Sequence, residues 1–214
     1  MPIESISPAV IPTTLICIVL DSSGSMYNNV QDTIGGFNAF LDEQKSRTEQ
    51  NIKLYLILFN TVVKIVHRNV PLHKVSQLSK ETYLPRGHTA LYDAIAQALR
   101  VVDEDNKNND SVICVIMTDG KENSSRYTSK EQIQEQVRMK EKEANWTFLY
   151  IGEEPHRWTE EMCSPHTHTI IFDHKNAYNN FALLSGSVAA LLSSTFESIE
   201  DSVSLSQIHK NPAV

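Results

Sequence analysis

No stretch of the chain is apolar for long enough to span a membrane, and the N-terminus lacks the basic region and apolar core of a secretion signal. Cysteine is scarce, with three among 214 residues, which excludes a disulfide-stapled scaffold. Glycine and proline are sparse at 7 and 8 residues, and neither an internal repeat nor a low-complexity linker is present. Positive charge is outweighed: 19 Lys and Arg stand against 26 Asp and Glu, a formal net charge of −7. That balance argues against unaided binding to nucleic acid or to an acidic membrane surface. A Walker-type phosphate loop is also missing. These absences leave one ordinary α/β domain, expected in the cytoplasm, and the length suits one well-buried core rather than two.

What is present centres on one hexapeptide. The apolar run Leu15-Ile16-Cys17-Ile18-Val19-Leu20 has the length and β-branched content of a strand buried on both faces. It ends abruptly in Asp21-Ser22-Ser23-Gly24-Ser25-Met26. Asp21, Ser23 and Ser25 then stand two residues apart on a tight loop, with Gly24 relaxing the backbone between them. In an open α/β sheet such a loop lies at the carboxyl end of a strand, where ligands bind. One carboxylate and two hydroxyls there suit a hard cation such as Mg²⁺. The plainer reading is a serine-rich turn with Ser25 as the cap of the next helix.

Two later stretches bear on that choice. Pro85-Arg86-Gly87-His88-Thr89 leads into an amphipathic helix, and the apolar run 112–117 ends in Thr118-Asp119-Gly120. Singly, Thr89 reads as a helix cap and Asp119-Gly120 as a turn. Together, three loops from different strand–helix units each deliver an oxygen ligand at one sheet edge.

With these residues in place the chain resembles the von Willebrand factor type A domain. That family's metal-ion-dependent adhesion site is Asp-x-Ser-x-Ser with a distant Thr and a distant Asp, and the pattern falls on Asp21, Ser23, Ser25, Thr89 and Asp119. Gly35-Gly36-Phe37-Asn38-Ala39-Phe40, Tyr83-Leu84-Pro85-Arg86-Gly87, Thr89-Ala90-Leu91-Tyr92-Asp93-Ala94-Ile95 and Thr118-Asp119-Gly120-Lys121-Glu122-Asn123 resemble single-domain, intracellular bacterial and phage members. So does the strand around Trp146-Thr147-Phe148. The resemblance spans roughly residues 13–152. It implies a doubly wound, mostly parallel six-stranded sheet of order 3-2-1-4-5-6, with one antiparallel edge strand and helices on both faces. It also implies Mg²⁺ (Mn²⁺ or Ca²⁺ being possible) and a protein partner whose exposed Asp or Glu completes the coordination. Arg86, His88 and Lys121 stand on or beside the ligand loops as a candidate positive rim for such a partner. The chain divides into an arm (1–12), the domain (13–205) and a tail (206–214).

Helical stripes are expected at Val30, Ile34, Phe37 and Leu41 and at Leu91, Ile95, Ala98, Leu99 and Val102. A polar helix over 129–143 carries Ile133 and Val137. A long one over 176–202 carries Tyr178, Phe181, Ser185, Val188, Leu192, Phe196 and Ile199. Strands are expected at 53–59, 62–66, 145–151 and 170–172, with 67–84 irregular and 103–110 a solvated connection. Gly35-Gly36, costly inside a helix, suggests close backbone packing or a bend. If Asp21 and Asp119 lie level on adjacent strands, Cys17 and Cys114 point to opposite faces, and no disulfide joins them.

Three alternatives compete with metal-dependent protein binding. A purely structural metal in a scaffold is one. Metal-assisted phosphoryl transfer is the second, but it needs a second carboxylate two residues after the first, where Ser23 stands. The third is a separate zinc site built from Cys163, His166 and His168, with Glu160, Glu161 and His174 nearby. The Cys163-x-x-His166-x-His168 spacing is not a standard one, and His166 and His168 equally suit one exposed strand face. After the fifth strand stands Gly152-Glu153-Glu154-Pro155, where relatives carry a Gly-Ala-Asn type turn, so partner choice does not follow from the resemblance.

Overall fold

A computed structural model describes residues 12–47, 50–152, 162, 168–171 and 177–208. Six strands form one sheet: β1 (Thr13–Asp21), β2 (Asn51–Phe59), β3 (Val63–Pro71), β4 (Ser111–Met117), β5 (Trp146–Gly152) and β6 (His168–Ile171). Their spatial order is β3-β2-β1-β4-β5-β6, with β3 antiparallel to β2 and every other pair parallel. Among the described residues, the longer helices are α1 (Val30–Ser46), α2 (Leu91–Asp105), α3 (Lys130–Glu141) and α4 (Ala177–Ile208). None of the described helices is long and apolar enough to cross a membrane.

Alternation along β1 builds two cores. Ile16, Ile18 and Leu20 face α1 and α4, packing with Phe37, Phe40, Leu41, Phe181, Leu184 and Val188. Leu15, Cys17 and Val19 face α2 and α3, packing with Ile95, Leu99, Val102, Ile133 and Val137. A strand apolar at every position is what two covered faces require. On the first face Gly36 meets the Phe181 ring so closely that a Cβ there would lie 2.5 Å from it, so the Gly35-Gly36 pair reflects close packing. Gln44 also donates to Ser185 at 2.8 Å across this contact.

Several expectations are corrected. Cys17 and Cys114 are register partners in the same core, not on opposite faces; both thiols are free. The reason is the register: Leu20 pairs with Met117, which sets Asp21 level with Thr118, one residue before Asp119. β3 continues to Pro71 rather than ending at 66, through register shifts around Leu56 and a left-handed Asn69 at φ 53°. α2 runs on to Asp105, beyond the start expected for the solvated connection. Tyr178, assigned to the packed stripe of the last helix, is exposed, whereas Phe181, Ser185, Val188 and Leu192 are buried. The side chains of Phe196 and Ile199, residues 1–11 of the arm and residues 209–214 lie outside the described residues.

Candidate metal centre

The carboxyl ends of β1 and β4 and the loop before α2 meet at one edge of the sheet. Asp21 closes β1, its backbone oxygen held by the hydroxyl of the buried Tyr83 at 2.6 Å. Its carboxylate is fully buried; Oδ1 accepts from the Ser23 amide at 2.7 Å and Oδ2 from the Thr118 hydroxyl at 2.5 Å. Ser23 Oγ lies 3.0 Å from Ser25 Oγ, which donates to Asp119 Oδ1 at 2.6 Å. Gly120 brings the fifth residue into the group: a Cβ on it would lie 3.1 Å from Thr89 Oγ1 and 3.7 Å from Ser25 Oγ. The five residues read from the sequence therefore share one constellation.

The Thr89 loop is fastened on both sides. Gly24 donates to the Gly87 oxygen at 3.0 Å, and Arg86 donates its amide to Ser22 O at 2.9 Å. The His88 amide donates to Thr61 Oγ1 at 2.9 Å, and the Ala90 amide to Asn60 O at 2.9 Å. Gly87 has a φ of 71°, and a Cβ there would lie 2.6 Å from Thr61 Oγ1. Both facts require glycine at this turn.

The plainer readings of the two hydroxyls fail. Ser25 lies inside a short 3-10 helix, Gly24–Asn29, whose cap position is Ser23. The cap of α2 is Ala90, which has no hydroxyl, and Thr89, one residue earlier, is 3% exposed. Neither hydroxyl is used as a helix cap.

Burial pushes the Asp21 carboxyl up to about 6, against the hydrogen bonds from Thr118 and Ser23 that favour its charge. The neighbouring charge of Asp119 adds to the rise. Neighbouring carboxylates are mutually unfavourable when both are charged, and a bound cation would offset that penalty. The donors are two carboxylates and three hydroxyls, all oxygen, which suits a hard cation and not a thiophilic one. On that test the residues fit Mg²⁺.

Arg86, His88 and Lys121 are exposed around this edge. Tyr27 and Leu84, 72% and 55% exposed and next to the ligand loops, carry no role that the sequence alone suggests. Thr118 stands in a motif that the sequence shows, but its role, a hydroxyl that donates to Asp21, emerges only from the fold. Of the zinc alternative, Cys163, His166, Glu160, Glu161 and His174 lie outside the described residues, and His168 is placed only as the first residue of β6. Among the described residues no group of three or more His, Cys, Asp or Glu side chains is gathered as a metal cluster.

The von Willebrand factor type A domain family matches residues 16–182. The chain belongs to this family. No curated protein is similar enough to match. Among solved structures, a von Willebrand factor type A protein from Catenulispora acidiphila aligns with a TM-score of 0.58 at 15% identity, covering 81% of this chain and 42% of that one. The vWF domain of the type V pili tip protein Mfa5 from Porphyromonas gingivalis aligns with a TM-score of 0.60 at 9% identity, covering 85% of this chain and 97% of that domain. The PilB minor pilin from Streptococcus sanguinis gives 0.56 at 12% identity, covering 88% and 63%. This chain thus spans less than two thirds of the Catenulispora and Streptococcus proteins. Such identities carry the type A domain fold, not partners.

Proposed function

We propose that the chain is a protein-interaction module that holds Mg²⁺, or Mn²⁺ or Ca²⁺ in its place, through Asp21, Ser23, Ser25, Thr89 and Asp119. The bound cation would supply positive charge and an exchangeable coordination position, which a partner's Asp or Glu fills. The observation that carries this reading is the convergence of two carboxylates with hydroxyls that no helix cap consumes. The chain's own residues do the rest. Thr118 and the Ser23 amide orient Asp21, and Ser25 bridges toward Asp119. Exposed Arg86, His88 and Lys121 give an acidic segment further positive charge to meet. Tyr27 and Leu84 give it apolar surface.

An enzyme is disfavoured by the same geometry. The position two residues after Asp21, which phosphoryl transfer would need as acid or base, is a serine hydrogen-bonded to another serine. The cytoplasm is the proposed location, in keeping with a low cysteine content. The test is titration of metal-free protein with Mg²⁺ or Mn²⁺, then partner binding in Mg²⁺ and in EDTA. Saturable binding that Asp21→Ala removes without unfolding the domain supports the module. Equal partner affinity in Mg²⁺ and EDTA assigns the metal a structural role instead. Phosphatase turnover lost in Asp21→Asn would make the protein an enzyme.

A further inference from the structure

Ligand residues hold a metal only as well as their own backbones are held, and the Thr89 backbone is held by the loop that carries Asp119. The Asn123 side-chain oxygen accepts from the Thr89 amide at 2.9 Å, and the Asn123 amide donates back to Thr89 O at 3.0 Å. One residue clasps both polar groups of the Thr89 backbone.

Its neighbour fastens the helix that follows. Ala90 offers α2 no side-chain cap, so the first amides of the helix need partners from elsewhere. Glu122 Oε2 accepts from the Tyr92 amide at 3.0 Å, and Ser125 Oγ accepts from the Asp93 amide at 3.1 Å. The same carboxylate organises its own loop. Oε1 accepts from the Ser124 and Ser125 amides at 2.7 Å each, and Oε2 accepts from Ser125 Oγ at 2.7 Å. With its oxygens spent on four donors, Glu122 is a brace and not a ligand. Asp93 returns the grip from the first turn of α2, accepting from the Arg126 and Thr128 amides at 2.8 Å each.

We propose that Glu122 and Asn123 are positioning residues of the metal centre: by capping α2 from the Asp119 loop and clasping the Thr89 backbone, they set the distance between Thr89 and Asp119 and so the affinity and ion preference of the site. This rests on the metal-binding reading of the five ligands. The alternative is that the bonds only stabilise the loop, in which case ion choice would not respond to them. Groups that orient metal ligands from behind change affinity by about 10- to 100-fold when removed.

The experiment titrates Mg²⁺, Mn²⁺ and Ca²⁺ into the metal-free full chain by calorimetry, for wild type, Glu122→Ala, Asn123→Ala and Asn123→Asp. Thermal unfolding in EDTA is recorded for each. Val137→Ala, a buried change on α3 away from the site, serves as a control that loses stability without touching the brace. The expected result is a loss of Mg²⁺ affinity of about tenfold or more in Glu122→Ala and Asn123→Ala. Ca²⁺ is expected to lose less, because the larger ion tolerates looser ligand geometry. Asn123→Asp, which keeps the oxygen facing the Thr89 amide, retains affinity. Val137→Ala unfolds earlier but binds as wild type does.

Wild-type affinity and ion preference in both alanine variants would overturn the proposal while leaving the five ligands assigned. So would an equal loss in Val137→Ala. Absence of saturable binding to wild type overturns the metal-binding reading itself, and the proposal with it.

Discussion

α2 and α3 cover the same face of the sheet, yet they begin in opposite ways. α3 carries its own start: Ser129 Oγ accepts from the Gln132 amide, and the Gln132 side chain accepts from the Ser129 amide at 2.8 Å. Both bonds close within four residues. α2 begins at Ala90 with no side-chain cap, and its first amides are met by Glu122 and Ser125, some thirty residues further along. A helix that caps itself is a local unit. A helix capped by another loop cannot shift without that loop, and only α2 has a proposed metal ligand at its head. The difference ties the Thr89 and Asp119 loops into one body, while α3 is attached more simply. The helices also touch at their far ends, where Lys140 pairs with Asp103 at 2.7 Å and lies over the Trp146 ring.

The largest expected effect comes from breaking the α2 side of this comparison at Asp93. Its carboxylate accepts from the Arg126, Tyr127 and Thr128 amides, so Asp93→Ala removes the partner of three backbone donors at once. The expected loss is roughly 3–4 kcal/mol, since hydrogen bonds to charged groups count for more than neutral ones. Urea unfolding in EDTA measures it, and Mg²⁺ affinity should fall in the same variant. A loss below about 1 kcal/mol with unchanged affinity would mean that α2 is no more tightly coupled to the loop than α3 is.

The sequence showed these helices unequally. The polar α3 could be placed from Ser129 onward because its cap is local, and the stripes of α1 and α2 could be read because 3.6-residue periodicity is local too. The five candidate ligands stood in recognisable motifs, so their shared edge was legible before any coordinates. The brace was not. Glu122 and Asn123 look like ordinary loop residues until folding lays them against residues 89–92, and a missing cap at Ala90 is a faint signal. The Cys17 and Cys114 misplacement has a related cause. The spacing of each cysteine from its aspartate is plain in the sequence, but the register between distant strands is not, and a one-residue offset reverses the face of every side chain.

A second effect, somewhat smaller, separates the two helices by pH. Asp21 titrates at about 6 in the folded, metal-free protein against an ordinary value of 3.8. A raised carboxyl value means that the folded state holds the proton more tightly than the unfolded one. Its favourable contribution is therefore full below about pH 4 and is lost as pH rises through about 6, a difference on the order of 3 kcal/mol. Asp105, held below its ordinary range by hydrogen bonding to Arg68, works with the opposite sign. It acts only at more acid pH, whereas His67, held below its ordinary value by burial, opposes Asp21 within the window from about pH 5 to 7, where the larger shift of Asp21 sets the net sign. In EDTA the wild type should be more stable at pH 5 than at pH 7, and Asp21→Asn should flatten that slope. With Mg²⁺ at saturation the slope should reverse, because the cation competes with the proton. Ser129→Ala, remote from Asp21, should keep the wild-type slope in both conditions, and a slope unchanged by Asp21→Asn would locate the titration elsewhere.

The smallest effect is expected at the α3 cap, and it tests the other half of the comparison. Ser129→Ala removes a capping oxygen whose bonds, among the described residues, reach Gln132 and Glu131, so the cost should be that of an ordinary cap, about 1 kcal/mol. Mg²⁺ affinity should stay within about twofold of wild type, because loop 120–128 is anchored by Glu122 and Asp93 toward α2 and not by the cap of α3. A double-variant cycle makes the contrast quantitative. If the two helix starts are independent, the stability losses of Ser129→Ala and Glu122→Ala should add to within about 0.5 kcal/mol. Ser129 follows directly on Thr128, whose amide Asp93 holds, so the chain offers one covalent route for strain to pass between them. A coupling well above that limit would show the route in use, and α3 would then be part of the body that holds the ligand loops rather than a neighbour resting beside it.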